Sequence, residues 1–216
     1  MITRHPSSTL NCAFSEKPFQ GQHPEEARFL FIGQDANYDH AIEKSSIFKD
    51  VLEYHADGVG FWKKHGVHHP FLLPGYTGDG RKYHKNFARI GFAPDLAEHV
   101  SFVELLHFPT VGRNNLDIAD LSAEHLSFLN EVIFYGKAQY VFIPRVVATL
   151  MHKSGAFSWM PQQPKRMPEQ LDTWFSSNKV TIFAHLHFSV YGKFEAKKAM
   201  EISRINKIVE HFRQQL

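Results

Sequence analysis

The sequence predicts an α/β protein: a three-layer αβα sandwich on a central sheet of four parallel strands. Two observations carry this expectation. Four short apolar runs are spaced along the chain, and helical periodicity fills the intervals between them. Phe29 to Ile32 is the first run, passing straight into Gly33 and a polar cluster of Gln34, Asp35 and Asn37. An unbroken apolar run closed by a turn residue is the pattern of a strand buried on both faces of a parallel sheet. Val100 to Leu106, Gln139 to Pro144 and Lys179 to Ala184 repeat the theme, the last running into His185-Leu-His187.

The helices are read from spacing. Ile47, Val51, Leu52 and Tyr54 precede Gly58, and Phe87 and Ile90 precede Gly91. Ser122 is placed to cap a helix carrying Leu126, Leu129, Val132 and Ile133. The clearest stripe is C-terminal, with Ile202, Ile205, Val209, Phe212 and Leu216 at spacings of three and four. Strands alternating with helices imply right-handed crossovers and a doubly wound sheet. Residues 58–80, rich in Gly, His, Pro and aromatics, read as a long functional loop. Pro161 to Pro168 reads as a proline-punctuated excursion between the third and fourth strands.

With 216 residues and 43% hydrophobic content, the chain suits a single domain over 1–216 with one full-sized core. A net charge of +2 permits nucleic-acid binding through a local patch without requiring it, and 15 histidines add latent positive charge below neutral pH. The single cysteine, Cys12, excludes an internal disulfide and any four-cysteine zinc or iron–sulfur site. The stretch after Met1 lacks the apolar core of a signal peptide, and no apolar run approaches the ~20 residues that span a bilayer. A cytoplasmic protein is expected.

In doubly wound sheets ligands bind just beyond the carboxyl ends of the strands, so Gln34 and Asp35 stand where chemistry is usually done. Four separated segments with this placement resemble the uracil-DNA glycosylase superfamily. Phe31-Ile-Gly-Gln-Asp35 is similar to its first motif, with Ala36 and Asn37 at the usual Pro-Tyr positions and Tyr38 one place later. Pro70 to Pro74, with Phe71, resembles the segment whose aromatic stacks on the flipped base. Glu104 to Thr110 resembles the end of the second strand, where several branches carry Asn in an Asn-x-x-x-x-Pro-Thr pattern. His185-Leu-His-Phe-Ser189 resembles the His-Pro-Ser-Pro motif after the last strand.

The resemblance implies a monomeric, metal-free and cofactor-free αβα enzyme that hydrolyses the N-glycosidic bond of a damaged or deaminated base in DNA, single- or double-stranded. It makes Asp35 the carboxylate that stabilises the sugar cation or orients water, as an oxocarbenium-like transition state requires. It makes His185 the donor to the departing base, with His187 as the alternative. Phe71 would stack on an extruded base, Glu104 would read its edge, and Gln34, Asn37 and Tyr38 would complete the pocket. Phe188 would wedge into the duplex, with Val190 and Tyr191 as alternatives, and Ser189 and Lys193 would contact phosphate.

Two departures from the family pattern matter. Glu104 replaces an amide that both donates and accepts, whereas an ionised glutamate only accepts. Either burial keeps Glu104 protonated, or the base presents two donors as guanine does, or Glu104 points elsewhere and pairs with Arg113. Asn37 replaces the residue that excludes thymine's methyl group, which relaxes strict uracil selectivity.

Two other classes compete. A metallohydrolase would use His185 and His187 with Asp35 and the His65, His68, His69 group. A non-catalytic nucleic-acid or nucleotide-binding module would keep the scaffold and lose the chemistry. A dinucleotide-binding role is disfavoured because no Gly-x-Gly-x-x-Gly follows the first strand.

Overall fold

The computed structural model describes residues 2–112 and 116–216. Eight strands follow one another along the chain: β1 (Phe19–Gly21), β2 (Phe29–Gly33), β3 (Asn37–Tyr38), β4 (Val100–Glu104), β5 (Thr110–Val111), β6 (Tyr140–Pro144), β7 (Thr173–Ser176) and β8 (Thr181–His185). Seven α-helices accompany them: α1 (Ser8–Glu16), α2 (Phe48–Ala56), α3 (Gly58–His65), α4 (Arg81–Ala88), α5 (Ala123–Tyr135), α6 (Arg145–Ser154) and α7 (Glu195–Arg213).

The main sheet has six strands in the order β1-β4-β2-β6-β8-β7, and it is mixed. The four apolar runs are its four central strands, parallel to one another. The expected four-stranded sheet is therefore extended at both edges: β1 runs antiparallel to β4, and β7 antiparallel to β8. Edge strands of three and four residues bury too little to leave an unbroken apolar run in the sequence. A separate two-stranded parallel sheet pairs Asn37 with Thr110 and Tyr38 with Val111.

Alternate residues of each central strand feed opposite faces, as the two-residue period of a strand demands. Leu30 and Ile32 enter a core with Leu129 and Ile133 of α5 and Val147 and Met151 of α6. Phe29 and Phe31 enter the other, with Phe87 of α4 and Ile202, Ile205, Val209 and Phe212 of α7. A third cluster joins α1 and α2 to Tyr38, Phe71 and Tyr76 beside the strand ends. Ser122 caps α5 by accepting from the His125 N–H. The C-terminal stripe packs as its spacing predicts, except that Leu216 lies beyond the helix and is exposed.

The segment expected to be one long loop contains α3 instead. Asp57 caps it by accepting from Gly60 N–H, Phe61 and Trp62 are buried, and Gly66 closes it at φ +70°. The two glycines in its first turn lower intrinsic helix propensity. Burial of two large aromatics, with a cap at each end, outweighs that deficit. No helix among the described residues is long and apolar enough to cross a membrane.

Candidate active site

A cavity of about 240 Å³ opens at the carboxyl ends of the central strands. That is below the ~300–1,000 Å³ of drug-sized ligand sites and suits a single small ring. Gln34, Asp35, Asn37 and Tyr38 reach it from the chain after β2, Glu104 from the end of β4, and His187 from beyond β8. Phe71 and His69 line it beside the short turn Pro70–Leu72, and Tyr83 and His84 come from α4. Seven of the predicted site residues, together with the alternative histidine, thus line one cavity.

Asp35 is held from two sides. Thr110 Oγ1 donates to Asp35 Oδ2, and Asn37 Nδ2 lies 3.4 Å from the same oxygen. Asn37 Nδ2 also donates to Thr110 Oγ1 at 3.0 Å and to the Gly112 carbonyl at 2.7 Å. The β3–β5 pairing brings Asn37 opposite Thr110 and so builds this clamp. Among the described residues, Asp35 Oδ1 takes no part in these bonds.

Glu104 stands in register with Gly33, and its carboxyl lies over the glycine. A Cβ at position 33 would come within 2.6 Å of Glu104 Cδ. Burial pushes the Glu104 carboxyl up to about 8, and the Asp35 carboxylate adds in the same direction. Burial likewise raises the phenols of Tyr38, Tyr54 and Tyr83, with Glu104 a smaller contributor to each. The suggested partner Arg113 lies outside the described residues.

The two histidines after the last strand part company. His185 ends β8 and is buried, 4.8 Å from the Phe188 ring, with Nδ1 donating to the Leu186 carbonyl at 2.8 Å. It does not line the cavity, so the expected leaving-group donor is displaced from the site. Burial holds its imidazole down to about 3, so it is neutral. His187 takes the place on the wall. Its Nδ1 lies 2.6 Å from Ser189 Oγ and accepts from the Ser189 N–H at 3.3 Å. A neutral imidazole that accepts at Nδ1 carries its proton on Nε2. Burial lowers the His187 pKa, and Asp35 opposes that shift only in part.

Three buried side chains pin the loop that carries His187, by its backbone. Glu201 Oε2 accepts from Leu186 N–H at 2.6 Å, Asn86 Nδ2 donates to the Phe188 carbonyl at 2.6 Å, and Lys198 Nζ donates to the Val190 carbonyl at 2.7 Å. Arg145 holds Glu201 at 3.2 Å and Asp172 at 2.6 Å. Phe188, the expected wedge, is 1% exposed and belongs to the core. Tyr191 is 74% exposed, with Lys82 Nζ 5.0 Å from its ring centroid, and is the aromatic that the loop presents to solvent. Ser189 and Lys193 are exposed as expected.

Phe71 is buried and lines the cavity, with Tyr76 stacked on it at 4.4 Å. Beside it lies a histidine cluster, of which sequence reading named His68 and His69 as possible metal ligands and missed His84. The His69 and His84 rings stack at 3.6 Å, and His68 Nε2 lies 3.1 Å from His84 Nδ1. His69 Nδ1 accepts from the Phe71 N–H, which leaves Nε2–H as its free donor. Burial lowers all three, His84 to about 3. His185 and His187 do not form a chelating pair with Asp35. Among the described residues, the group that gathers three ligand atoms within 4.8 Å is Asp50, Glu53 and His65, away from the cavity.

Sequence reasoning missed Thr110, Asn86, Lys198 and Glu201. Thr110 sat inside the Glu104–Thr110 motif, so its signal was present. Asn86, Lys198 and Glu201 lie on helices 102, 8 and 15 residues from the backbone atoms they hold, and no local pattern marks them. No protein-family model matches the chain, and no curated protein matches it.

Proposed function

We propose that this protein is a DNA N-glycosylase-like hydrolase, built on a uracil-DNA glycosylase-like αβα scaffold, that releases a damaged or deaminated base. The observation that carries the reading is that Asp35 and His187 line one cavity of about 240 Å³ at the sheet's carboxyl edge. The parallel strand order at the sheet centre and the motif resemblance described above support it.

The C1′–N bond breaks with its electron pair leaving on the base, while positive charge spreads over the sugar ring. Asp35, oriented by Thr110 and Asn37, stabilises that cation and directs a water oxygen to C1′. The water's proton passes toward Asp35 or bulk solvent as the new C1′–O bond forms. His187, neutral with its proton on Nε2, donates to the departing base as negative charge grows there. A fixed neutral donor acts in a desolvated cavity without the cost of burying an extra cation. Phe71 provides an apolar wall against the ring, and Tyr191 beside Lys82 is the surface aromatic suited to fill the gap left in the DNA.

The test is base release from oligonucleotides carrying uracil, hypoxanthine, xanthine or a thymine mismatch. We expect release from at least one of them. Asp35→Asn and His187→Ala should each lower the rate on the order of 10²-fold or more. His185→Phe should leave it within about threefold, since that ring is core packing. No release from any substrate, or release unchanged in both site variants, overturns the proposal.

A further inference from the structure

The cavity lining carries an acid, Glu104, where base recognition calls for a group that both donates and accepts. Among the described residues, no Lys or Arg lines the cavity. The groups around the Glu104 carboxyl are Asp35 and His187 from the loops after β2 and β8, Tyr38 from β3, and Tyr54 from α2. His69 beside the Pro70 turn, with Tyr83 and His84 from α4, completes the surround. None of them is a fixed cation.

We infer that Glu104 reads a nucleobase as a neutral carboxylic acid, selecting six-membered heterocycles that present one hydrogen-bond donor and one acceptor side by side. The inference rests on the cavity being a nucleobase pocket, as proposed above, and names the edge it selects. Register sets the geometry. Gly33 is the cross-strand partner of Glu104, and the missing side chain there leaves room for the carboxyl, which lines the cavity. The raised pKa described above agrees with a proton retained at neutral pH.

A protonated carboxyl offers one O–H and one carbonyl lone-pair face, and either oxygen can carry the proton. It therefore pairs with the lactam edge of uracil or hypoxanthine, and equally with the amino-imine edge of cytosine or adenine. Ionised, it offers two acceptors and suits only a two-donor edge such as guanine's. This chain should thus differ from a pocket with a fixed amide in tolerating cytosine-type edges, and in losing uracil-type binding as Glu104 ionises.

The test uses the full chain and ligand-observed saturation-transfer NMR with 1-methyluracil, 1-methylcytosine and 1,3-dimethyluracil, from about pH 6 to about pH 9. We expect the first two to bind at the lower pH and the dimethyl compound, which lacks the N3–H, to bind about tenfold more weakly or worse. Binding of 1-methyluracil should weaken roughly tenfold by the upper pH in the native protein and stay level in Glu104→Gln. Equal binding of 1,3-dimethyluracil, level native binding up to the upper pH, or no binding of 1-methyluracil at all would overturn the inference. The native pH series and the N-methyl comparison need no variant, so a poorly folded Glu104→Gln cannot obscure the result. Base release plays no part in the readout. Failure here leaves the Asp35 and His187 chemistry intact, and failure of base release leaves this recognition standing.

Discussion

The Glu104 carboxyl occupies the space that a side chain at position 33 would need, with Cδ 2.6 Å from where a Cβ would stand. The two residues are register partners on adjacent parallel strands, so a side chain at 33 meets the far end of Glu104. Gly33→Ala keeps an allowed extended backbone but forces the carboxyl away. We expect a loss of about 1–3 kcal/mol in urea denaturation, the usual range for overpacking a tight site. Gly33→Ala/Glu104→Ala should recover most of that loss. A double variant no more stable than Gly33→Ala would show that the overlap is not its cause.

Glu104 also sets a pH dependence of stability. Its folded-state value, about 8, lies above the ordinary 4.5, so between those values the folded protein holds a proton that the unfolded chain has released. Stability therefore falls as pH rises through this window, by up to about 1.4 kcal/mol per pH unit from this one group. Glu104→Gln should remove that slope. Chemical denaturation at several pH values between the two limits measures it directly.

The buried histidines impose the opposite slope on the acid side. His68, His69, His84 and His185 all have lowered pKa values because burial disfavours their cations. The unfolded chain takes up protons at these positions below about 6.5. Stability should fall steeply on acidification from that point, by up to about 1.4 kcal/mol per pH unit for each group that stays neutral when folded. An acid transition steeper than one proton, made shallower in His185→Phe, is the expected result. Two-dimensional NMR of the His side chains should show them neutral at pH values where exposed histidines are charged.

The loop from Leu186 to Val190 depends on helices rather than on its own sequence. Asn86→Ala, Lys198→Met and Glu201→Gln each remove or weaken one backbone contact. A buried carbonyl or N–H left unmatched costs about 1–3 kcal/mol. We expect Asn86→Ala to destabilise by that amount, and to lower base release because His187 loses its placement. Hydrogen exchange at the Ser189 N–H, which His187 Nδ1 accepts, should quicken in the same variant. Unchanged exchange there would mean that Asn86 does not position the loop.

The elements read correctly from sequence are those whose signal is local. Phe29 to Ile32 and its three counterparts are apolar on every residue because central strands are covered on both faces, and no tertiary knowledge is needed to see that. Ser122 and the stripe from Ile202 to Phe212 are legible for the same reason, since capping and periodicity act within a few residues. Asp35, Glu104 and Phe71 were found because a strand end or a motif placed them beside the cavity.

Distance along the chain set the limit. The strand period stops at His185, and the turn that follows sends His185 into the core and His187 onto the cavity wall. That choice belongs to Glu201, Asn86 and Lys198, which hold the turn from two helices, and to Phe188, which fills the core. The raised pKa of Glu104 has the same origin. It follows from desolvation by packed neighbours and from Asp35 on the adjacent strand end, and a burial energy exists only once the chain has closed around the carboxyl.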